Sequence, residues 1–571
     1  MPEIVCSNLV FSYSEGVPVL DDVSCVIPQG QYAAIVGSNG SGKSTFIRHL
    51  NGLLTPEKGR VKVGGLTTAH TADIIPIRTT VGMVFQTPET QIVGTTVETD
   101  IAFALENTGV PREEIRLRIR QVLDKVGLPG FEARATAQLS SGEQQKLAIA
   151  CMMALHPDII VFDEATSMIE PEGRKEILKL ISDLHKNGKT VICITHDMDE
   201  AQEAERILHF HRGKLICDLP PSEFFRRGDL ESFKIGYPKI QSAARALSKT
   251  VKNMDPDTNT LAELKDMLFS QLESQTPRKR PAFGRVGIRP EVIRFSESRF
   301  SYLCGTEREQ PGLDNVSLEI NKGECVGILG PTGSGKSTFL QHIDALLLPQ
   351  SGTVTVNGLC TGDTKTDLRK LRTGIGFAFQ RPEKQLFKTY TGDDIAFGLE
   401  QFDLKLEEKA KRVYEAMNSC GLDYKTFKDR PIYALSGGEK RKAAISGVLV
   451  TSPGILLFDE PTSGLDPGSK DEIIRLIRHQ QNVGVTVVFI THDLEVLCEL
   501  ADRVVCFDRG KIHFDGSVKA FIDSRYGGPD APGADLLPAA ARICLDPRAA
   551  RLGLSSYSQS GLSEEIGEIL R

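Results

Sequence analysis

Short apolar runs recur along the chain, and each one stops at glycine or at polar and charged residues. Four to six consecutive residues rich in valine and isoleucine predict strands buried on both faces, as in a parallel sheet. Helical segments separate the runs, which predicts α/β domains with functional residues at the carboxyl ends of the strands. The runs are YAAIV at 32–36, IIVF at 159–162, TVICIT at 190–195, CVGIL at 325–329, ILLF at 455–458 and TVVFIT at 486–491.

The second half of the chain repeats the first. The segment GSNGSGKS at 37–44 returns as GPTGSGKS at 330–337, so Lys43 and Lys336 are 293 positions apart. Later landmarks keep almost the same offset, which indicates an internal duplication with only a few inserted residues. The offset is 294 positions for Gln86 and Gln380, and 296 positions for Asp163 and Asp459 and for His196 and His492.

Size and composition favour a soluble protein of two or more domains. The chain has 571 residues, of which 40% are hydrophobic and 25% are charged, as is ordinary for globular proteins. Its net charge of −7 argues against nucleic acid as a partner. No apolar run approaches the ~20 residues that cross a bilayer, and the N-terminal sequence lacks the features of a signal peptide. We therefore expect a cytoplasmic protein whose membrane contacts, if any, depend on partners.

The twelve cysteines are scattered and contain no C-x-x-C pair. Several, such as Cys193 and Cys325, lie in the apolar strand-like runs. This pattern predicts reduced core thiols and no cysteine-ligated metal centre.

Both copies contain the phosphate-loop pattern G-x-x-x-x-G-K-[ST] between a predicted strand and a predicted helix. Glycines at these positions let backbone N–H groups converge on phosphate oxygens, and the lysine neutralises phosphate charge. The serine that follows the lysine offers a hydroxyl to Mg²⁺. The predicted nucleotide-binding residues are Gly37, Ser38, Asn39, Gly40, Ser41, Gly42, Lys43, Ser44 and Thr45, and Gly330, Pro331, Thr332, Gly333, Ser334, Gly335, Lys336, Ser337 and Thr338.

An Asp-Glu pair follows the apolar runs at 159–162 and 455–458, at Asp163-Glu164 and Asp459-Glu460. The aspartates are expected to hold Mg²⁺ through water, with Ser44 and Ser337 as further metal ligands. The glutamates are expected to orient or deprotonate the attacking water.

The segments LSSGE at 139–143 and LSGGE at 435–439 resemble the LSGGQ signature of ATP-binding cassette (ABC) ATPases. The resemblance covers nearly the whole chain, twice. It implies two P-loop NTPase cassettes of α/β fold in tandem that bind ATP and Mg²⁺ and hydrolyse ATP. In that family two cassettes pair head to tail, so the pairing is expected within one chain. Serine and glycine amides at a helix start suit a γ-phosphate. The candidate signature residues are Ser140, Gly142, Ser436, Gly437 and Gly438.

The same resemblance assigns three further pairs of residues. Tyr13 and Tyr302 match the aromatic residue that stacks on adenine. Gln86 and Gln380 match the glutamine that senses the γ-phosphate, contributes to the metal site and faces the transporter partner. His196 and His492 match the switch histidine that contacts the γ-phosphate.

The first copy departs from the family pattern at two places. Ser141 replaces a signature glycine, and Met168-Ile-Glu170 replaces the Gly464-Leu-Asp466 pattern of the second copy. In the family arrangement the first signature serves the site built on Lys336, so the departures are expected to slow or alter that site. Both sites keep the glutamate expected to act on the attacking water. We therefore expect two working but unequal sites.

The glutamines begin a Q-x-P-x-x-Q pattern at 86–91 and 380–385, followed by DIAFALE at 100–106 and DIAFGLE at 394–400. This is similar to the ATPase subunits of energy-coupling factor (ECF) transporters, which import vitamins and transition-metal ions in prokaryotes. The similarity implies a peripheral protein at the cytoplasmic face of the cell membrane. Its partners would be a membrane scaffold protein and a small membrane-embedded substrate-binding protein.

Two alternatives remain open at this point: the ATPase of another ABC transporter class, and a soluble tandem ABC factor acting on ribosomes. Soluble factors of that kind usually carry a long, strongly charged helical linker, whereas the segment between the copies is modest and mixed. A DNA-repair ABC ATPase would show zinc-type cysteine pairs or long coiled-coil insertions, which the sequence lacks.

A small helical appendage is predicted after each copy. Residues 238–249 predict a short helix, and the Thr260/Glu263 capping-box pattern predicts another that ends near residue 274. The segments 537–545 and 561–570 loosely repeat this arrangement, and the basic stretch 277–281 is interpreted as a linker. The predicted domains are a first cassette at 1–235, an appendage and linker at 236–285, a second cassette at 286–527 and a C-terminal appendage at 528–571.

Overall fold

The computed structural model describes residues 3–13, 16, 18–166, 169, 171–272, 289–306, 309–380, 385–526, 536–552 and 554–570. The chain forms two compact units. The first comprises Met1–Pro238 with Gly464–Gly468, and the second comprises Lys239–Ser463 with Ser469–Arg571.

A six-stranded sheet forms the centre of the first unit, in the order β10-β9-β3-β8-β7-β6, and a second sheet has the order β2-β1-β4-β5. In the larger sheet only β10 runs antiparallel to its neighbour. The strands are β1 (Ile4–Phe11), β2 (Leu20–Ile27), β3 (Tyr32–Val36), β4 (Lys58–Val63), β5 (Leu66–Thr67), β6 (Val81–Val84), β7 (Ile159–Asp163), β8 (Thr190–Ile194), β9 (Arg206–His211) and β10 (Lys214–Leu219).

Helices of the first unit follow the apolar periodicity of the sequence. In α4 the buried residues Ile115, Ile119, Val122 and Val126 recur every three or four positions, and the helix ends at Gly127 in the left-handed conformation (φ 73°). The helices are α1 (Lys43–Leu50), α2 (Ile74–Thr80), α3 (Val97–Glu106), α4 (Arg112–Val126), α5 (Ser141–Ala154), α6 (Pro171–Lys186), α7 (Met198–Gln202) and α8 (Pro221–Phe224).

Alternate residues of β3 face two different apolar cores. Ala33 and Ile35 pack in the core that contains Phe46 of α1, whereas Ala34 and Val36 pack in the core that contains α3, α4 and α5. The strand is therefore buried on both faces, which explains its uninterrupted apolar sequence.

The second unit repeats this architecture. Its larger sheet has the order β20-β19-β13-β18-β17-β16 and its smaller sheet the order β12-β11-β14-β15, so the internal duplication predicted from sequence is a structural one. The strands are β11 (Glu291–Tyr302), β12 (Gln310–Asn321), β13 (Cys325–Leu329), β14 (Ser351–Val356), β15 (Leu359–Cys360), β16 (Ile375–Ala378), β17 (Ile455–Asp459), β18 (Thr486–Ile490), β19 (Arg503–Asp508) and β20 (Lys511–Ser517).

Helices of the second unit include five that lie outside the cassette pattern, α9, α10 and α20 to α22. The helices are α9 (Lys239–Ser248), α10 (Leu261–Leu272), α11 (Lys336–Ile343), α12 (Leu368–Thr373), α13 (Thr391–Phe397), α14 (Leu406–Ser419), α15 (Tyr424–Phe427), α16 (Gly437–Leu449), α17 (Pro467–Asn482), α18 (Leu494–Leu500), α19 (Val518–Tyr526), α20 (Ala539–Cys544), α21 (Pro547–Leu552) and α22 (Gln559–Leu570).

The predicted appendage helices are present, and they form one body. Helix α9 packs against α20 and α22, and α10 packs against α21. Lys265 Nζ lies 3.3 Å from Asp546 Oδ2, and the Arg548 guanidinium lies 4.4 Å above the ring of Phe269. Thr260 Oγ1 accepts the Glu263 backbone N–H at 3.4 Å at the start of α10. The helices that follow the first cassette in sequence therefore belong to the second unit, while the predicted domain boundaries themselves stay predictions.

The helical body is also attached to the second cassette. Ser560 of α22 donates its hydroxyl to Glu499 Oε1 of α18 at 2.6 Å and accepts from Arg478 Nη1 of α17 at 3.2 Å. The predicted linker at 277–281 lies outside the described residues.

None of the described helices has both the length and the apolar character needed to cross a membrane. All twelve cysteines are free thiols, and burial raises the pKa of Cys193 and of Cys325.

We expect Ile566→Ala to destabilise the helical body. The side chain of Ile566 on α22 is fully buried, and truncating a buried isoleucine to alanine costs about 2–5 kcal/mol through lost burial and a residual cavity. Hydrogen exchange of the peptides covering α9 and α10, together with chemical unfolding, measures the effect. The exposed Glu564→Ala on the same helix is the control and should change stability by less than about 0.5 kcal/mol. Equal effects of the two substitutions would contradict the packing described.

Candidate functional site

Four loops meet at the carboxyl edge of the larger sheet in each unit. In the first unit they follow β3, β6, β7 and β8, and they carry the phosphate loop, Gln86, Glu164 and His196. Because parallel strands end at one edge, these groups come together although the sequence separates them by more than 150 residues.

The phosphate loops have the geometry that anion binding requires. Gly42 precedes α1 with φ 102°, and a Cβ there would lie 2.9 Å from the Val19 carbonyl oxygen, so only glycine fits. The helix N-terminus directs backbone N–H groups toward a bound phosphate. Lys43 Nζ donates to the carbonyls of Gly37 and Ser38 at 2.8 and 3.1 Å. In the second unit Gly335 also has φ 102°, and Lys336 Nζ donates to Gly330 O and Pro331 O at 2.6 and 2.7 Å.

Burial lowers the pKa of Lys43, and the nearby carboxylates of Glu164 and Asp163 act in the opposite direction. A buried ammonium surrounded by carboxylates and loop carbonyls is a prepared counter-charge for phosphate oxygens.

The oxygen donors expected at a magnesium site lie side by side. Ser44 Oγ donates to Asp163 Oδ1 at 3.1 Å, and Ser337 Oγ donates to Asp459 Oδ2 at 2.9 Å. Burial and the neighbouring Glu164 raise the pKa of Asp163 to about 6, and burial raises that of Asp459. Hydroxyl and carboxylate oxygens next to a phosphate loop are the donor set that Mg²⁺ takes with nucleotides, so the residues fit this ion.

The glutamates occupy strained positions held from two sides. Glu164 has φ 50°, unusual for a residue with a side chain, and its backbone N–H donates to Ile194 O at 3.1 Å. Gln86 Nε2 donates to Glu164 Oε2 at 2.8 Å, and His196 Nε2 lies 3.0 Å from Oε1. In the second unit Glu460 has φ 51°, Gln380 Nε2 donates at 2.9 Å and His492 Nε2 lies at 2.8 Å.

The surroundings keep these glutamates ionised. Burial alone would raise the pKa of Glu164, but the close contact with the His196 imidazole and the charge of Lys43 outweigh burial and lower it. The balance is the same at Glu460, with His492, Gln380 and Lys336. A buried carboxylate with one oxygen on an amide and the other on an imidazole can orient water and accept its proton.

The candidate adenine-binding tyrosines stand beside the phosphate loops. The hydroxyl of Tyr13 lies 3.3 Å from Thr45 Oγ1, and the hydroxyl of Tyr302 lies 3.0 Å from Thr338 Oγ1. Each ring also packs edge-on against a phenylalanine two residues earlier, with centroids 5.0 Å apart. The rings are therefore fixed near the loop and partly exposed, as a base-stacking platform needs.

The signature serines cap the helices that they precede. Ser140 Oγ accepts the Glu143 backbone N–H at 3.3 Å, and Glu143 Oε2 accepts the Ser140 backbone N–H at 2.7 Å. Ser436 and Glu439 repeat this capping box at the same distances. Gly142, Gly437 and Gly438 lie in the first turns of α5 and α16. The positions of Met168 and Glu170 lie outside the described residues.

The structure adds four residues to the site that the sequence did not assign a role. Gln91, the last residue of the first Q-x-P-x-x-Q pattern, accepts the Phe85 backbone N–H at 2.8 Å and donates to Met83 O at 3.0 Å. Asp100 accepts the backbone N–H groups of Val93 and Gly94 at 2.7 Å. These contacts fix the loop that carries Gln86. Gln385 and Asp394 make the corresponding contacts in the second unit. The recurring Q-x-P-x-x-Q and DIAF segments are the sequence signal that marks these four positions.

Comparison with known proteins gives concordant matches. A family profile for ABC transporters matches residues 20–167 and 313–463, and each range contains a phosphate loop, a signature and an Asp-Glu pair. An ABC transporter ATP-binding protein of Methanosarcina acetivorans is 33% identical over 579 residues, covering 97% of this chain and 91% of that protein. One of Caldanaerobacter subterraneus subsp. tengcongensis is 32% identical over 537 residues, covering 90% and 92%.

A solved structure, cbiO1 from Clostridium perfringens, described as part of the ABC transporter complex cbiONQ, is 32% identical. It covers 42% of this chain and 96% of its own, with a TM-score of 0.37.

The absence of tryptophan from the sequence allows a direct test of the base platform. We expect Tyr302→Trp to introduce a single emission signal that changes when Mg·ATP binds, because the indole would stack on the base. Tyr414→Trp, at a half-exposed position on α14, is the matched control and should not respond. We expect Tyr302→Ala to weaken nucleotide binding about three- to tenfold, the range that an aromatic contact supplies. If the emission of the Tyr302→Trp variant does not change when Mg·ATP is added, although the variant binds nucleotide normally, Tyr302 is not part of the nucleotide site.

Proposed function

The chain belongs to the ABC transporter family, and on that premise we propose that it powers an ECF-type importer of a vitamin or transition-metal ion. ATP binding and hydrolysis are the activity of such cassettes, and the chain carries two of them. The finer assignment rests on the Q-x-P-x-x-Q segments and on what surrounds them.

The observation that carries the proposal is the connection between the glutamate and an exposed aromatic surface. Gln380 donates to Glu460, and Phe387, seven residues later in sequence, is 62% exposed. Phe387 packs edge-on against Phe397, with ring centroids 4.7 Å apart. Exposed apolar groups of this kind are suited to an apolar helix of a partner.

The first unit has the same arrangement with smaller groups. Gln86 donates to Glu164, and Val93 and Phe103 are 67% and 49% exposed nearby in sequence. A partner that presses on either loop therefore acts on a segment that ends at the glutamine in contact with the glutamate. We propose that a membrane scaffold protein docks there and that a small membrane-embedded protein binds the solute.

The residues divide the chemistry of hydrolysis among them. The phosphate-loop N–H groups and Lys336 hold the phosphates, and Glu460 orients water and takes its proton as the water attacks the γ-phosphate. In this proposal His492 and Lys336 offset the charge that develops on the phosphoryl oxygens. When Mg²⁺ is bound by Ser337 and Asp459, it would neutralise phosphate charge. In the first unit the residues proposed for these roles are Lys43, Glu164, His196, Ser44 and Asp163.

In the proposed cycle, inferred from the family, the two cassettes of one chain pair when they bind ATP and separate after hydrolysis. A docked partner helix converts this change into membrane movement. The protein would then work as a peripheral component at the cytoplasmic face of the cell membrane.

Purification of the tagged chain from membranes in mild detergent tests the assignment. We expect a polytopic scaffold protein and a small, very hydrophobic protein to co-purify. We expect Phe387→Glu to reduce their recovery several-fold while nucleotide binding is retained, because a charge would enter an apolar contact. Val483→Glu, at an equally exposed position just before the amino end of β18, is the control. Recovery with ribosomes, or alone with robust ATPase activity, would overturn the importer assignment in favour of a soluble ABC factor.

Two unequal hydrolysis sites are expected from the substitution of Ser141 in the first signature. At the equivalent position of the second signature, a Cβ added to Gly437 would meet nothing within 4 Å. A serine at this position should therefore slow hydrolysis only by contact with a bound nucleotide. In the family arrangement the first signature serves the Lys336 site. We therefore expect Glu164→Gln, which leaves only the Lys336 site, to lower steady-state ATPase activity at least about threefold more than Glu460→Gln.

The surface variant Glu407→Gln is the control for this comparison and should match the unmodified protein. Equal activity loss with equal nucleotide retention in the Glu164→Gln and Glu460→Gln variants would show that the sites are equivalent.

A further inference from the structure

The second signature helix carries an arginine that contacts both loops of its own hydrolysis site. Arg441 lies on α16, five residues after Ser436. Its Nη2 donates to the Gln380 carbonyl oxygen at 3.0 Å. Its Nη1 lies 3.4 Å from Glu460 O and 3.2 Å from Pro461 O, and it also donates to Ser463 O. One guanidinium thus meets four main-chain oxygens.

These oxygens belong to the two segments whose side chains must meet for hydrolysis. Gln380 and Glu460 are 80 residues apart in sequence, and their side chains are joined by a 2.9 Å hydrogen bond. The five N–H donors of a guanidinium lie in one rigid plane. Contacts from that plane to both segments therefore fix the distance between them.

The segment at Glu460 needs such support. A glutamate at φ 51° adopts a backbone conformation that only its surroundings can maintain. The backbone N–H of Glu460 is fixed by Ile490 O at 3.1 Å, and its carbonyl oxygen is the one near Arg441. Both ends of the residue are then held, one by the sheet and one by the signature helix.

The first unit lacks this arginine. Gln145 stands at the equivalent position, and its Nε2 makes a single longer contact of 3.4 Å, to Phe85 O. The next residue along the helix is a lysine in both units. Lys146 pairs with Glu176 of α6, and Lys442 pairs with Glu472 of α17. The two signature helices therefore share this lysine–glutamate pair, whereas their contacts with the neighbouring loops differ at positions 145 and 441.

We propose that Arg441 is a positioning residue that ties the signature helix to Gln380 and Glu460 in the second cassette only. It does not contact nucleotide in this role. Displacement of α16 relative to the sheet would be transmitted to both segments through one side chain. The first cassette, with Gln145, holds its glutamine and glutamate without that connection, so the same displacement would leave its site less affected.

Turnover from one site at a time tests the proposal. In the Glu164→Gln background hydrolysis comes from the Glu460 site, and there we expect Arg441→Gln to lower kcat about tenfold with little change in KM for ATP. Arg441→Lys should restore part of the loss because it keeps the charge and some donors. Lys440→Gln removes one charge from the neighbouring position and is the control. Equal effects of Arg441→Gln and Lys440→Gln on kcat, or a rise in KM without a fall in kcat, would overturn the proposal.

A double-mutant cycle distinguishes positioning from general stability. If Arg441 acts through Gln380, Arg441→Gln should cost little once Gln380→Ala is present, so the two effects should be strongly non-additive. Additive effects would overturn the proposal. Hydrogen exchange supplies a readout that does not depend on turnover: Arg441→Gln should accelerate exchange in peptides covering 377–389 and 458–463 without altering α22. Uniform acceleration throughout the second unit would instead assign Arg441 a purely structural role.

If Arg441→Gln fails to fold, the reverse substitution Gln145→Arg in the first unit tests the proposal. In the Glu460→Gln background, an arginine at position 145 should slow backbone hydrogen exchange in the segment that contains Gln86. Unchanged exchange there would count against the proposal.

Discussion

Burial of the candidate catalytic carboxylate at the end of a sheet that is itself buried on both faces is the constraint on which each cassette depends. Strands β3 and β7 are buried along their whole length, so charged groups there belong at the strand ends. Glu164 and Glu460 sit at such ends, where 9% and 14% of their side chains remain exposed. An ionised carboxylate there is tolerable only with directed donors. The amide of the preceding loop and the imidazole of the following loop supply them, which is why four distant segments converge.

This requirement also explains how a signal can reach the reaction centre. The amide donors Gln86 and Gln380 are part of loops pinned by Gln91 and Asp100, and by Gln385 and Asp394. These contacts tie the described parts of each loop to one another. A displacement at their exposed ends would therefore reach the hydrogen bond between the glutamine and the glutamate.

Much of each site follows from sequence because its residues are set by local rules. The phosphate loops need glycines at positive φ, as at Gly42 and Gly335, and such positions are visible as a spacing pattern. The strands were recognisable because burial on both faces demands continuous apolar residues. The capping box at Thr260 marked the start of α10 within one residue.

Other features depend on contacts between distant segments, which a single sequence does not encode as a pattern. The partners of α10 lie about 280 residues later, as in the contact of Asp266 with Arg548 at 3.0 Å. The four oxygens near Arg441 are main-chain atoms, and any residue could supply them. The Q-x-P-x-x-Q pattern was visible, but the role of its second glutamine required the path of the loop.

The signatures illustrate how one residue can serve structure and electrostatics together. A glutamate in the first turn of a helix stabilises that helix but would repel a phosphate at its N-terminus. In both units one carboxylate oxygen accepts the serine N–H, and the other lies near an arginine, at 3.0 Å for Arg134 and 3.5 Å for Arg430. The negative charge is thus compensated within the cap. The helix gains its capping box while its N-terminus remains positive enough to receive an anion, so glutamate can stand where the family signature has glutamine.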